Sequence, residues 1–473
     1  MKKTLLALLL AAGMTLGVSA CARDNEPAAP AVPAATPAPT PAAADPAPAP
    51  TPEPEPEIFV PTGIPIPGFD PNNRETVEIE FWHAMTGAHQ EGIQDMIEAF
   101  HASQPYVRVN EIFQGNYGQL SNQIMLNDLA GLLPHLGQAT VSDTTRYMVD
   151  GMILPLNQFM DDPVVGVSEE EMDDIIRGFR ATSVFDGVWY SLPFSKSVRI
   201  MFYNRDLLNE FGLTPPTTWE EAEAAAEILT DEAAGRYGFG FENAHDMEWV
   251  AMLFQRGGTY LDEATNQAVF ASPEGIAAME FIMGMINGPH ARVAGADGFM
   301  SGVFGRQDVA MYIGSSAGLP HVTNAVAGTF DWGTAPIPTT NGNGAVEFAG
   351  NDLVMFENRN HSVDERVGAW EFMRFTMEPE TSARWAMASG YVPVTYTAAS
   401  LPLFTSFLAE NPRAGAATAS LDNGFFRTRH LQGGAVRTIL TEEMDNIRFE
   451  TVTAAEGLLA AQTRANETLA AGR

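Results

Sequence analysis

The chain runs to 473 residues and carries 26 lysines and arginines against 59 acidic residues, a formal charge of −33. A field of that sign and size repels nucleic acid and anionic lipid surfaces, which excludes both as partners recognised by bulk charge. With 45% hydrophobic residues the chain has apolar matter for a large core, so it is no disordered acidic tail.

At the N-terminus Lys2 and Lys3 precede an apolar stretch, residues 5–18, that is too short to span a bilayer comfortably. The run Val18-Ser19-Ala20-Cys21 follows, and Cys21 is the one cysteine of the chain. A small-residue cleavage site directly before a cysteine resembles the lipobox of bacterial lipoproteins. The resemblance implies a signal peptide over 1–20 and a diacylglycerol thioether on Cys21. The plainer alternative is an ordinary secretory peptide with an incidental cysteine. Either way the remainder has no disulfide and no thiolate metal ligand. The expected location is extracytoplasmic, lipid-anchored at the outer face of the cell membrane, or in the periplasm of a two-membrane host.

Residues 21–75 read as a tether, because proline recurs every second or third position over much of the segment. Polyproline II extends about 3.1 Å per residue, so such a spacer reaches roughly 100 Å or more. A recognition segment for a proline-binding partner is the competing reading.

From residue 76 onward the pattern is α/β. Residues 77–82 alternate like a strand, and 92–104 show helical spacing through Ile93, Met96, Ile97 and Phe100. A second strand is expected over 106–110, a second helix over 118–129 and a third strand over 136–140. Strands alternating with helices predict a parallel sheet with helices on its faces. In such sheets ligands bind beyond the carboxyl ends of the strands. Trp82, His83, Gly115, Asn116, Tyr117, Ser142 and Asp143 fall there. About 400 residues are too many for one small domain and fit two lobes.

Later in the chain, Lys196 is the only lysine after Lys3, flanked by Ser195 and Ser197 and followed by Arg199. It reads either as a solvated lysine or as a point charge facing an anionic ligand group. Trp219 opens a helix behind Thr217 or Thr218, with glutamates in its first turn. Trp82, Trp189, Tyr190, Phe241, Trp249, Tyr312 and Tyr391 lie at or near strand ends, where aromatic faces stack on sugar rings or simply pack the core.

The segments FWHAMTG, FQGNYGQL, GMILPLNQFM, WYSLPFSKSVRIMFYNRDLLNEFGLTPPTTWEEA, VAMYIGSSAG and SGYVPVT resemble the extracellular solute-binding proteins of carbohydrate-type ABC importers. FWHAMTG and GNYGQ are most similar to the glycerol-3-phosphate-binding group. The resemblance implies a two-lobed periplasmic-binding-protein-like fold of type II, each lobe a mixed or parallel sheet flanked by helices, joined by a multi-strand hinge. It assigns 76–192 and 349–376 to one lobe, 199–336 to the other, and 380–473 to a C-terminal helical part mainly on the second lobe. Crossings are expected at 192–198, 337–348 and 376–380. The implied partners are a small solute and membrane permease subunits, with a monomeric receptor and no cofactor. A sensory receptor serving a membrane kinase is a related alternative.

By the same motifs Tyr117, Ser197, Ser316, Gly350, Tyr391 and Arg437 match ligand-binding positions, Arg437 at the ligand's anionic end. Trp82, His83, Ser142, Asp143, Lys196, Trp249 and Asp352 complete the candidate set. Val141 stands where the glycerol-3-phosphate group has a glutamate, so Ser142 or Asp143 is expected to substitute, and a larger sugar competes as ligand.

An enzyme reading competes as well. Gly314-Ser315-Ser316-Ala317-Gly318 fits G-x-S-x-G after a strand-like run, with Asp352, Asp422, His361 and His430 downstream in triad order. No upstream oxyanion motif accompanies it. Nine scattered histidines offer no metal spacing, and neither Walker nor dinucleotide fingerprints occur.

Overall fold

A computed structural model describes residues 61–428 and 430–471. The signal peptide, Cys21 and most of the tether lie outside the described residues. The last part of the expected tether does not: residues 61–75 lie on the body. Ile66 is buried, its N–H donates to Asp162 Oδ2 at 2.9 Å, and Arg74 pairs with Glu371 at 2.5 Å. Arg74 also lies over the Tyr106 ring, 4.7 Å from its centroid.

The strands are β1 Val77–His83, β2 Val107–Phe113, β3 Leu136–Ala139, β4 Val184–Phe185, β5 Val188–Trp189, β6 Leu192–Asn204 and β7 Tyr237–Phe241. They continue as β8 Leu261–Asp262, β9 Gln267–Ala268, β10 Ala291–Val293, β11 Val309–Ser315, β12 Trp332–Pro336, β13 Val346–Met355 and β14 Gly424–Phe425. One sheet runs in the order β10-β7-β11-β6-β13-β3-β1-β2, with β12 on β6 and β14 on β13; β4-β5 and β8-β9 are separate hairpins.

The first half follows from its sequence pattern. β1 buries Val77, Ile79 and Phe81, and pairs in parallel with both β2 and β3. The connecting helix Ala88–Ser103 buries Ile93, Met96, Ile97 and Phe100. It begins one turn before Gly92, and Gly92 sits inside it because a Cβ there would stand 3.0 Å from the Trp385 ring. The helix Tyr117–Ala130 opens on a reciprocal cap between Asn116 and Gln119. In the second half β7 pairs in parallel with β10 and β11, and the helix Trp219–Leu229 is capped by Thr218 and Glu221.

β6 joins the halves. Its 13 residues are all buried. Residues up to Val198 pair with β13, and those from Arg199 pair with β11 and β12. Opposite, β13 passes from β6 to β3 with a register shift between Asn351 and Asp352. Gly350 holds φ +110°, and a Cβ on it would fall 1.8 Å from the Ser195 carbonyl oxygen, so only glycine fits this crossing.

Within 380–473 the packing divides. The helix Pro379–Ser389 lies on Ala88–Ser103 of the first half. The helices Gly433–Arg448 and Ala454–Ala471 pack on each other and on Pro273–Asn287 of the second.

Candidate functional site

The β6/β13 crossing collects polar groups from five separated segments. The Ser316 hydroxyl accepts the Val198 N–H at 3.4 Å. Ser197 lies in register with Ala349, and Lys196 with Gly350. The Asn351 amide donates to the Tyr117 hydroxyl at 2.8 Å, and Tyr117 and Tyr391 hydrogen-bond through their hydroxyls. Tyr391 also stacks on Trp385, with centroids 5.8 Å apart. Burial holds both tyrosine hydroxyls above the ordinary phenol range. The structure thus brings together Tyr117, Ser197, Ser316, Gly350 and Tyr391, which the sequence motifs named one at a time.

Lys196 is neither solvated nor exposed to a ligand. It is 0% exposed, its Nζ is 2.5 Å from Asp352 Oδ1, and it donates to Thr182 Oγ1 at 3.3 Å. The Phe426 ring lies against it at 5.0 Å. Asp352 in turn accepts from Ser191 at 2.9 Å. A buried lysine survives only with such a partner, because an unpaired ammonium in the core is costly. The two residues act on each other.

A second charged network lies beside the crossing on the β7/β11 side. Arg199 binds Glu248 through Nε at 2.6 Å and Glu242 through Nη1 at 2.7 Å. Glu242 follows the end of β7, and a Cβ on Gly314 would be 3.1 Å from its Oε1. Burial pushes the Glu248 carboxyl up to about 7 despite Arg199. Next to it, Arg427 bridges Asp246 and Glu347, each at 2.7 Å. Arg437 clasps Asp246 with two hydrogen bonds of 2.8 and 3.0 Å, yet its side chain stays 46% exposed. Burial opposes ionisation of Asp246, but the Arg427 and Arg437 charges outweigh it and hold the carboxyl at about 2.

Two helix starts approach one another near Arg437. Ser142 is exposed in the first turn of Val141–Val149, and a Cβ on Gly434 would stand 3.7 Å from its Oγ. Arg437 lies one turn on from Gly434. Asp143 is committed to structure: Thr140 and Ser121 donate to its two oxygens at 2.7 and 2.9 Å.

Other candidates stand apart. Trp82 is buried, its Nε1–H donating to Glu80 at 3.2 Å. His83 is 0% exposed, with Nδ1 accepting the Met85 N–H and Nε2 bound to Glu111. Trp249 is 0% exposed, donates to the Gly275 carbonyl at 3.0 Å and packs on Phe270. The triad does not assemble: Asp352 belongs to Lys196, His361 stacks on His135 at 3.8 Å, and His430 accepts the Gln432 N–H. Among the described residues no cluster of histidine and carboxylate side chains could hold a metal ion.

Sequence reading missed Asn351, Arg427 and Asp246. Asn351 is the residue after Gly350 and was within reach of the motif. Asp246 and Arg427 lie 181 residues apart in segments without a motif, so nothing local marked them.

Residues 95–414 match the model of the bacterial extracellular solute-binding protein family, and the chain belongs to that family of binding proteins. Among curated relatives, the sn-glycerol-3-phosphate-binding periplasmic protein of Yersinia pseudotuberculosis is 24% identical over 396 residues, 80% of this chain and 89% of that protein. Its counterpart from Salmonella typhimurium is also 24% identical, over 83% of this chain and 92% of its own length. Solved structures share the fold. The cyclic alpha-maltosyl-1,6-maltose binding protein of Arthrobacter globiformis matches with a TM-score of 0.70 at 22% identity, over 83% of this chain and 99% of that one. The structure of UgpB from Mycobacterium tuberculosis with glycerophosphocholine matches at 0.72 and 22%, over 84% and 99%. The fold is the two-lobed α/β fold of these binding proteins, and no helix among the described residues is long and apolar enough to cross a membrane.

Proposed function

We propose that this protein captures a sugar or a glycerol-3-phosphate-like solute between its lobes and delivers it to the permease of an ABC importer. A lipid on Cys21 and the proline-rich segment hold it at the outer face of the cell membrane and raise its concentration at the permease. The observation that carries the reading is the convergence at the β6/β13 crossing, where β6 pairs with strands of both sheet halves and Tyr117, Ser316, Asn351 and Tyr391 meet. A site built on shared strands is remade whenever the halves rotate. The lobes we assign meet at 192–198, 337–348 and 376–380. Closure around a solute excludes water and strengthens each hydrogen bond made to it. The names of the relatives support both ligand classes, glycerol phosphates and maltose-type sugars.

The test is thermal unfolding of the full chain, purified in detergent, against glycerol-3-phosphate, maltose and longer oligosaccharides. A solute at a hundred times its Kd adds about 2.7 kcal/mol, which raises the melting temperature visibly. A rise that is reduced in Tyr117→Ala and Ser316→Ala supports the reading. Esterase turnover abolished in Ser316→Ala, with no solute response, would overturn it. Intact-mass measurement of the membrane-extracted chain checks the anchor: Cys21→Ser removes the diacylglyceryl mass if the cysteine carries it.

A further inference from the structure

Beside the crossing the two halves of the molecule touch at a histidine. His89 is the second residue of the helix Ala88–Ser103 in the first half, and it is buried although it lies in the first turn. Its Nε2 is 2.9 Å from the Ser389 carbonyl oxygen, at the end of the helix Pro379–Ser389 that packs on its own. A carbonyl oxygen only accepts, so Nε2 carries the proton. The second half reaches the same ring. The Ala317 carbonyl faces it, and the His321 ring of the helix Leu319–Val326 stands edge-on with centroids 5.0 Å apart. The fit between the halves is close here: a Cβ on Gly390 would fall 2.6 Å from the Ser316 carbonyl oxygen and 3.1 Å from the Leu319 Cβ.

The ring also backs the candidate site. Tyr391 lies tilted against it with centroids 5.4 Å apart, and the Tyr391 hydroxyl is the one bonded to Tyr117. Trp385 adds a further aromatic face at 6.3 Å. Among the described residues, no carboxylate faces the imidazole. Ser389 and Ala317 present carbonyl oxygens, Trp385 and Tyr391 present rings, and the charge that acts on it is that of the exposed His321. Burial above all, and His321 to a lesser degree, hold His89 down at about 4 against the pull of the two carbonyls.

We propose that His89 is a positioning residue that acts as a proton-sensitive latch between the halves: neutral, it lets the Ser316–Leu319 turn close on the wall behind Tyr391, and charged, it parts the halves and releases the solute. A charged imidazole at this place meets no anion, and a second histidine open to the same acid stands 5.0 Å away. Parting the halves takes Ala317 and His321 off the ring and admits water, so the parted form binds the proton more tightly. Acid therefore favours the parted form below the ordinary histidine value of about 6.5, and the effect is complete near the lower value of the packed ring. The inference rests on the solute-binding reading above and adds to it a condition for release.

The first test needs no solute. Hydrogen exchange of the full chain in detergent is followed at pH 7 and pH 5 in wild type and in His89→Gln, whose amide can still donate to Ser389. Over 315–326 and 385–392, the ratio of wild-type to variant exchange rates is expected to rise several-fold from pH 7 to pH 5. A constant ratio overturns the latch. Titration calorimetry with maltose and with sn-glycerol-3-phosphate then reads the consequence. The wild-type Kd is expected to rise roughly tenfold from pH 7 to pH 5 beyond any rise in the variant, a comparison that cancels the ionisation of the phosphate ester itself. A histidine that only packs the core would lower the melting temperature in acid and leave this ratio of affinities unchanged, so equal pH dependence in the two proteins also overturns the latch. His321→Gln removes the like charge and is expected to reduce both effects. It stands in if circular dichroism shows that His89→Gln has not folded, and effects undiminished there then overturn the proposal. Binding of neither solute at pH 7 strikes the solute-binding reading for that panel, while hydrogen exchange still decides the latch.

Discussion

The two charged clusters at the crossing differ in how completely they are closed. Lys196 and Asp352 are both 0% exposed, one cation to one anion, with Thr182 and Ser191 taking further bonds. The Arg427–Asp246–Arg437 chain begins in the core and ends at a half-exposed guanidinium. The closed pair stands between β6, which joins the halves, and β13, and fixes how the two strands lie together. The graded chain runs from the core to the surface, ending at Arg437. Charge in this protein is fully paired and closed off at the centre and meets solvent at the rim.

The sharpest way to break that comparison is to remove one partner of the closed pair. Asp352→Asn leaves an uncompensated ammonium in the core and is expected to cost about 3–5 kcal/mol by urea denaturation. The apolar double replacement Lys196→Met with Asp352→Leu should recover most of that loss. If the single variant loses nothing, Lys196 finds water or another anion and the pair is not closed.

The graded chain should show its gradient. Arg427→Ala removes a buried bridge between two carboxylates and is expected to cost about 3 kcal/mol. Arg437→Ala, at the exposed end, should cost about 1 kcal/mol or less, because solvent screens its pair. Equal losses in the two variants would erase the distinction.

A separate effect is a pH slope. Glu248 titrates at about 7 in the fold, above the ordinary carboxyl range it has when unfolded. Between those values the native state holds the extra proton, so this group's contribution to stability falls as pH rises toward 7. In Glu248→Gln that slope disappears: its melting temperature relative to wild type should climb by a few degrees between pH 5 and pH 7.5. A parallel pair of curves would place the Glu248 titration outside this window.

Several parts of this architecture were legible in the chain. The alternation Val77-Ile79-Phe81, the helical spacing from Ile93 to Phe100 and the Thr218–Glu221 cap gave elements within a few residues of their observed ends, because each is set by contacts inside its own segment. Family motifs also named Tyr117, Ser316, Gly350 and Tyr391, which do meet. Lys196 shows where that reading stopped. Its isolation in the sequence was visible, and Asp352 was named as well, yet nothing along the chain tied them together across 156 positions. Two aromatic candidates stand apart for a related reason: Trp82, near a strand end, turns to Glu80, and Trp249, inside the helix Asp246–Gln255, turns to the Gly275 carbonyl.

The sequence by itself determined the acidic charge, the local strands and helices, and the motif positions that carry the family. Whether each charge at the crossing is free or already spoken for was decided only in three dimensions. Charge pairing depends on distance through space, and the partners of Lys196, Arg427 and Arg437 arrive from segments 80 to 191 residues away.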